Sequence, residues 1–127
     1  MPEATLEHAN ITVSDAERTV ALLCGIFGWR IRWHGPAING GSSTHVGGER
    51  SYLAIYAPPK LNRAADTSYR TIGGLNHVGI VVDDLEAVEE RVKAAGLTPH
   101  SHADYAPGRR FYFHDHDDIE YEVVSYR

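Results

Sequence analysis

The stretch Leu75-Asn76-His77-Val78-Gly79-Ile80-Val81-Val82-Asp83-Asp84 decides the fold, because the earlier stretch Leu6-Glu7-His8-Ala9-Asn10-Ile11-Thr12-Val13-Ser14-Asp15 resembles it. The leucine, the histidine, the isoleucine, the last valine and the final aspartate align without a gap. Each copy predicts a strand with a histidine near its start, followed by an aspartate that begins a helix. We therefore predict a duplicated unit whose paired histidines meet at its centre.

The remaining segments extend this repeat over the whole chain. The first half predicts a strand, a helix and three strands at Leu6–Val13, Ala16–Phe27, Arg30–His34, Ser42–Val46 and Ser51–Ala57. The second half repeats that order at Leu75–Val82, Asp84–Ala95, Leu97–His102, Arg110–His114 and Ile119–Ser125. We expect an α+β fold with two tandem βαβββ modules, at about 5–57 and 74–127, joined by a linker at about 58–73. The modules should form a curved mixed sheet around a cavity, within a single domain.

Composition narrows the class of protein. Of the 127 residues, 43% are hydrophobic and 23% are charged, and the formal net charge is −5, as in ordinary soluble domains. No basic stripe predicts nucleic-acid binding, and no apolar run is long enough to predict a membrane span. The N-terminal residues do not resemble a secretory signal, so we expect a cytoplasmic protein. The single cysteine, Cys24, excludes an internal disulfide and is expected in the core.

A candidate metal site follows from three residues. His8 and His77 occupy equivalent positions on the polar face of equivalent strands. Glu122 lies in an apolar last strand, where a buried carboxylate is costly unless a cation neutralises it. Two imidazoles and one carboxylate are a ligand set that leaves open positions on a divalent metal. Structural histidines and an exposed edge-strand glutamate are the alternatives.

The repeat with these residues resembles the vicinal oxygen chelate superfamily over essentially the whole chain. That superfamily includes glyoxalase I, fosfomycin-resistance thiol transferases, bleomycin-binding proteins and extradiol dioxygenases. The most specific segment is 111–122, where an aromatic strand, a turn and a glutamate-bearing strand follow one another. The turn departs from the usual Asp-Pro-Asp-Gly, with His116 at the proline position and Asp118 at the glycine position.

The resemblance implies a site and partners. His8, His77 and Glu122 match the metal ligands, and the divalent ion would be Fe, Mn, Ni, Co or Zn. Because imidazole ligands must be neutral, metal binding should weaken below about pH 6. The partners implied are a small-molecule substrate and a second copy of the chain in a homodimer.

A fourth ligand separates the candidate reactions. Glyoxalase I takes a carboxylate from the strand that matches 52–56, where Ala54 is the best match and Tyr56 lies two residues on. The lack of that carboxylate leaves a three-ligand site, as in the extradiol dioxygenases and the fosfomycin-resistance enzymes. Of these two, extradiol chemistry is favoured, because Tyr112 matches the tyrosine that hydrogen-bonds the substrate and His102 lies near the position of the acid–base histidine. Arg109 and Arg110 are candidates to bind an anionic substrate group.

Two alternatives remain open at this stage. In a glyoxalase-like lyase or isomerase, Glu120 or a histidine would have to supply the base. A metal-free, bleomycin-resistance-type protein would instead bind an aromatic molecule in a groove of Trp29, Trp33, Tyr52, Tyr56, Tyr105 and Tyr112.

Overall fold

Both halves of the chain fold in the predicted order of strand, helix and three strands. The computed structural model describes all residues, Met1–Arg127, and separates them into two compact units, Met1–Leu61 and Asn62–Arg127. The elements of the first unit are β1 (His8–Thr12), α1 (Ala16–Phe27), β2 (Arg30–Pro36), β3 (Ser42–Gly47) and β4 (Tyr52–Ala57). Those of the second are β5 (Val78–Val81), α2 (Leu85–Ala94), β6 (His100–Tyr105), β7 (Gly108–His114) and β8 (Glu120–Ser125).

The two sheets have the same topology. Their strand orders are β1-β4-β3-β2 and β5-β8-β7-β6, and in each sheet the first strand runs parallel to the last. The other pairings are antiparallel. The α+β class and the tandem βαβββ modules are thus confirmed, and the boundary between the units lies in the predicted linker. Short turns of 3-10 helix occur at Ile38–Gly40 and Ser68–Arg70.

Each helix begins at the aspartate that ends the repeated stretch. The Asp15 carboxylate accepts from the Arg18 amide at 3.2 Å, and the Asp84 carboxylate accepts from the Ala87 amide at 3.0 Å. Such N-caps contribute about 1 kcal/mol each. Helix α1 ends at Gly28, whose φ of 69° suits a residue without a side chain.

The helices cover one face of each sheet and leave the other face for polar residues. Leu23 of α1 and Val92 of α2 are fully buried, as are Ile55 of β4 and Val123 of β8. Burying side chains of this size stabilises the fold by roughly 1.5–3 kcal/mol each. Because strand side chains alternate, the neighbours of these core residues lie on the opposite faces of the sheets.

Strands β2 and β6, each at one edge of its sheet, contain a β-bulge that interrupts this alternation. The register shifts between Ile31 and Trp33 in β2, and between His100 and Ala103 in β6. In β6, Ser101 has a φ of 56°, in the left-handed region. A bulge redirects the side chains that follow it, so residues two apart no longer share a face.

The unusual turn before β8 keeps its geometry without proline or glycine. The Asp115 carboxylate accepts from the amides of Asp117 at 2.9 Å and Ile119 at 3.0 Å. Asp118 has a φ of 60°, a conformation that aspartate tolerates better than most residues. The turn therefore delivers Glu120 and Glu122 in the register that the sequence alignment predicts.

Cys24 is half-buried and does not lie in the core as expected. It lines a cavity of about 820 Å³ on the helix side of the first sheet, together with Ile31, His34 and Thr44. Burial raises the pKa of its thiol, which favours the unreactive protonated form. Neither helix has the length and apolar character needed to span a bilayer.

Candidate functional site

A polar cluster lies on the face of the second sheet that α2 does not cover. The core side is formed by fully buried residues such as Phe111, Phe113 and Tyr121. Alternation then places the polar residues on the other side, and we call this group, with His77 and Tyr69 from outside the strands, the polar cluster. Its strand members are Arg110, Tyr112, His114, Glu120 and Glu122.

His77 lies between the two glutamates of β8. Its Nδ1 is 3.1 Å from Glu120 Oε2, and its Nε2 is 3.3 Å from Glu122 Oε1. The glutamate side chains are only 15% exposed and that of His77 is 33% exposed. Each ring nitrogen of His77 therefore faces a carboxylate, Nδ1 that of Glu120 and Nε2 that of Glu122. Because a carboxylate can only accept, Nδ1–H donates to Glu120, and a metal ion could take the place of a proton at Nε2.

Glu120 is held by groups from three parts of the second unit. The Tyr69 hydroxyl, from the segment before β5, donates to Glu120 Oε2 at 2.6 Å. This bond to the carboxylate raises the pKa of Tyr69 to about 12. On the other oxygen, His114 Nε2 lies 3.3 Å from Oε1, and His114 in turn contacts His100 at 3.0 Å. Glu120 is therefore held in a position from which it orients His77.

Glu122 divides its two oxygens between different partners. Oε2 accepts from Arg110 Nη1 at 2.9 Å and from the Tyr112 hydroxyl at 3.0 Å, whereas Oε1 faces His77. The bond to Glu122 raises the pKa of Arg110. Burial, and then the bond to Glu122, raise the pKa of Tyr112, so both groups remain protonated donors. Oε1 is left as the oxygen that can meet a cation.

The facing atoms of His77 and Glu122 have a spacing that suits one metal ion. Ligand distances of about 2.0–2.2 Å place two adjacent ligands of an ion roughly 3 Å apart, close to the 3.3 Å observed. Within either unit, no three histidine, cysteine or carboxylate side chains are grouped to hold a metal ion. Glu120 does not complete such a group because it contacts the opposite nitrogen of His77.

His8 in the first unit repeats the arrangement of His77. Its Nδ1 lies 2.8 Å from Glu7 Oε1, so Nδ1–H donates to the carboxylate, and Nε2 is the ring nitrogen that a metal could bind. The hydrogen bond from His8 lowers the pKa of Glu7. Metal-binding histidines typically have one ring nitrogen held in this way by a carboxylate or a carbonyl.

The structure does not bring His102 to the polar cluster. Its Nε2 lies 2.9 Å from Glu89 of α2, and its ring stacks on buried Phe111 at 5.9 Å. The bulge in β6 turns His102 to the helix side and leaves His100 on the side of the cluster, where it stacks on Tyr112 at 6.3 Å. The acid–base role of His102 stays a prediction that its location does not support.

The other residues considered as ligands or substrate-binding groups lie outside the polar cluster, except for Arg110. Ala54 is 3% exposed and offers no ligand atom, and the Tyr56 hydroxyl donates to the carbonyl of Ile38 at 2.7 Å. Arg109 pairs with Glu86 of α2, so of the two arginines only Arg110 reaches the cluster. No carboxylate of β4 therefore lies where a fourth ligand was considered.

Sequence reasoning missed Tyr69 and His114 as cluster members. His114 could have been found, since it alternates with Arg110 and Tyr112 along one strand. Tyr69 lies in the linker, where no periodic pattern predicts what a side chain contacts.

Comparison with known proteins agrees with this fold. The sequence profile of the Glyoxalase/Bleomycin resistance protein/Dioxygenase superfamily matches residues 5–123. The chain belongs to this superfamily. Among superfamily structures, a glyoxylase/bleomycin resistance protein/dioxygenase domain from Frankia sp. EAN1pec has a TM-score of 0.84 at 21% identity, over 99% of this chain and 94% of that chain.

Fosfomycin resistance proteins are also similar in structure. FosX from Mesorhizobium loti is 27% identical with a TM-score of 0.69, covering 98% of this chain and 93% of that chain. FosX from Listeria monocytogenes, solved with Mn(II) and sulfate, is 18% identical with a TM-score of 0.70, covering 98% and 93%. No curated protein matches the chain.

Proposed function

We propose that this protein is a metal-dependent enzyme of the vicinal oxygen chelate type, acting on a small substrate that carries oxygen atoms. The observation that carries the proposal is that His8 and His77 have the same hydrogen-bond arrangement. Each has Nδ1 held by a glutamate, at 2.8 Å and 3.1 Å, and Nε2 left for a metal. The presence of Mn(II) in a superfamily structure supports a divalent ion.

The residues have separate roles in this proposal. Nε2 of His77 and Oε1 of Glu122 would hold the ion, and His8 is the third ligand that the sequence predicts. Glu120 would orient the ring of His77, while Arg110 occupies one oxygen of Glu122 and leaves the other to face the ion. A bound divalent ion would supply Lewis-acid chemistry toward two adjacent substrate oxygens.

Ring-opening oxygenation of a catechol-type substrate is the favoured reaction. Tyr112 supports it, because its hydroxyl remains protonated beside Glu122 and could donate to an ionised substrate oxygen. The absence of a carboxylate at Ala54 counts against the glyoxalase I ligand set.

We also propose that the protein is a homodimer.

A glyoxalase-like lyase is the second candidate, favoured by Glu120. This carboxylate is held by Tyr69 and lies beside His77, where it could accept a proton from a substrate carbon. The 27% identity with a FosX protein adds fosfomycin to the substrates worth assaying.

Paired histidine variants test the proposal. Metal-free protein would be loaded with Fe(II), Mn(II), Co(II), Ni(II) or Zn(II) and assayed with catechols under oxygen, with a hemithioacetal, and with fosfomycin. We expect His77→Ala to lose metal and turnover, and His102→Ala, a matched change on the helix side of the same sheet, to keep both. Retention of metal and turnover by His77→Ala would refute the proposal. Binding of an aromatic ligand by a wild-type protein that takes up none of these metals would favour the metal-free alternative.

A further inference from the structure

A row of aromatic rings crosses the first sheet on the face that α1 does not cover. Trp33 lies 5.0 Å from His45, His45 stacks on Tyr52 at 4.4 Å, and Tyr52 stacks on His8 at 4.8 Å. The four residues come from β2, β3, β4 and β1 in that order, so the row spans the whole sheet. We call this row the ring ladder.

The outer end of the ring ladder is packed on one side and open to solvent on the other. The Trp33 indole lies against the backbone of Gly35, where an added Cβ would be only 2.6 Å from Cζ2 of the indole. One side of the indole is therefore packed, although Trp33 as a whole is 48% exposed. A large aromatic ring held in a fixed orientation is a preorganised stacking surface, which loses little entropy when a ligand binds.

The β2 bulge brings a cation to the same face. Arg32 lies inside the bulge, and its guanidinium carbon is 4.7 Å from the centre of the Tyr52 ring. It forms no ion pair, whereas Arg30 of the same strand pairs with Glu49 at 3.2 Å. The nearby Glu7 is already bonded to His8 and to the Tyr52 hydroxyl.

We propose that the ring ladder and Arg32 form a binding site for a small planar aromatic acid. The ligand ring would stack on the exposed side of Trp33, and its carboxylate would accept hydrogen bonds from the Arg32 guanidinium fork. The stack selects a flat ring, and the unpaired arginine selects an anion. The ligand would contact Trp33 and Arg32 of the first unit and would need no metal, whereas His8, at the other end of the ring ladder, is a proposed metal ligand and makes no contact with it.

The test is calorimetric titration of metal-free, full-length protein with 2-naphthoate. The uncharged 2-naphthamide and the non-planar cyclohexanecarboxylate serve as ligand controls. We expect 2-naphthoate to bind more tightly than either. Losing a charge-assisted hydrogen bond costs roughly 10- to 100-fold in affinity, so Arg32→Gln should weaken naphthoate by that factor and leave naphthamide unchanged.

Three further variants separate a binding site from a structural surface. Trp33→Leu should weaken both aromatic ligands by about 10-fold, because a stacking partner is lost. Gly35→Ala should weaken them as well, although every ring is retained, because the Cβ displaces the indole. Arg30→Gln is the matched control, since Arg30 is already paired with Glu49 at 3.2 Å, and it should bind as the wild type does.

The proposal is overturned if naphthoate and naphthamide bind equally, if neither binds at millimolar concentration, or if Arg32→Gln leaves naphthoate affinity unchanged. Circular dichroism of each variant confirms that the fold is intact before titration. Because the protein is metal-free throughout, failure here leaves the metal-dependent function unaffected, and loss of metal binding leaves this site unaffected.

Discussion

Replacing Glu120 with glutamine tests how the site prepares His77 for a metal. The change keeps the shape of the side chain but removes the charge that holds Nδ1 of His77 at 3.1 Å and accepts from Tyr69 at 2.6 Å. An amide can also donate to Nδ1, which would move the ring proton to Nε2, the nitrogen intended for the metal. Loss of such a supporting carboxylate lowers metal affinity by roughly 10- to 100-fold, or about 1.4–2.7 kcal/mol.

The assay is a competition titration of Zn(II) and Co(II) against a chromophoric chelator at neutral pH. Glu49→Gln is the matched control, because Glu49 is an exposed carboxylate paired only with Arg30. Glu122→Gln removes a proposed ligand and should weaken binding further than Glu120→Gln does. Unchanged affinity in Glu120→Gln, with Glu122→Gln weakened, would refute the orienting role of Glu120 and keep the ligand assignment.

Four further predictions concern the structure around the site. Because the bond to Glu120 raises the pKa of Tyr69 to about 12, Tyr69→Phe should remove one tyrosine from the late-titrating part of the alkaline ultraviolet absorbance curve, to which Tyr52, Tyr112 and Tyr121 also contribute; an unchanged late part contradicts the bond. Asp115→Ala should lower the free energy of unfolding by about 2–4 kcal/mol in urea, since the amides of Asp117 and Ile119 lose their acceptor; a loss below about 1 kcal/mol would contradict this. Burial raises the pKa of the Asp115 carboxyl group above its value in the unfolded chain. The stability gained by keeping this group protonated is therefore fully present below about pH 4 and is lost as pH rises through the raised pKa. Urea unfolding of the wild type and of Asp115→Asn at several pH values would detect that loss. Asp118→Gly should stabilise the protein by up to about 1 kcal/mol, because the φ of 60° favours glycine, and a lower melting temperature would count against that account of the turn.

The repeated stretch predicts most of the fold because its signals are local. Helix α1 was predicted at Ala16–Phe27 and is observed there, since Asp15 caps one end and Gly28 ends the other. Strand β5, which follows His77 in the second unit, is shorter than predicted. Val78–Val81 alone pair with β8, whereas the prediction began at Leu75, because apolar character does not show where pairing begins.

The alignment of the turn before β8 assigned the ligand position to Glu122 and not to Glu120, and this assignment stays a prediction. Both lie on one face, but Glu122 meets Nε2 of His77 and Glu120 meets Nδ1. Sequence could assign them different positions, yet only the structure shows that Glu120 orients the ring that Glu122 faces. The positioning role of Glu120 depends on a distance of 3.1 Å across the sheet, which no local pattern encodes.

The bulges in β2 and β6 are the features that the sequence could not predict, and they determine which face of the sheet the nearby side chains occupy. Strict alternation places His100 and His102 on one face, but the bulge with Ser101 at a φ of 56° separates them. In β2 the corresponding bulge brings Arg32 over Tyr52 beside Trp33. A bulge depends on pairing with the neighbouring strand, so periodicity within one strand does not reveal it.

The most direct test of the central claim is the metal stoichiometry of the purified full-length protein, measured by elemental analysis after loading with Mn(II), Fe(II) or Zn(II) and removal of excess ion. The proposed ligand set of His8, His77 and Glu122 predicts one tightly held ion per chain in the wild type, and loss of that ion in each single alanine variant. A wild-type protein that retains none of the three metals, or variants that retain the ion as well as the wild type does, would contradict the account.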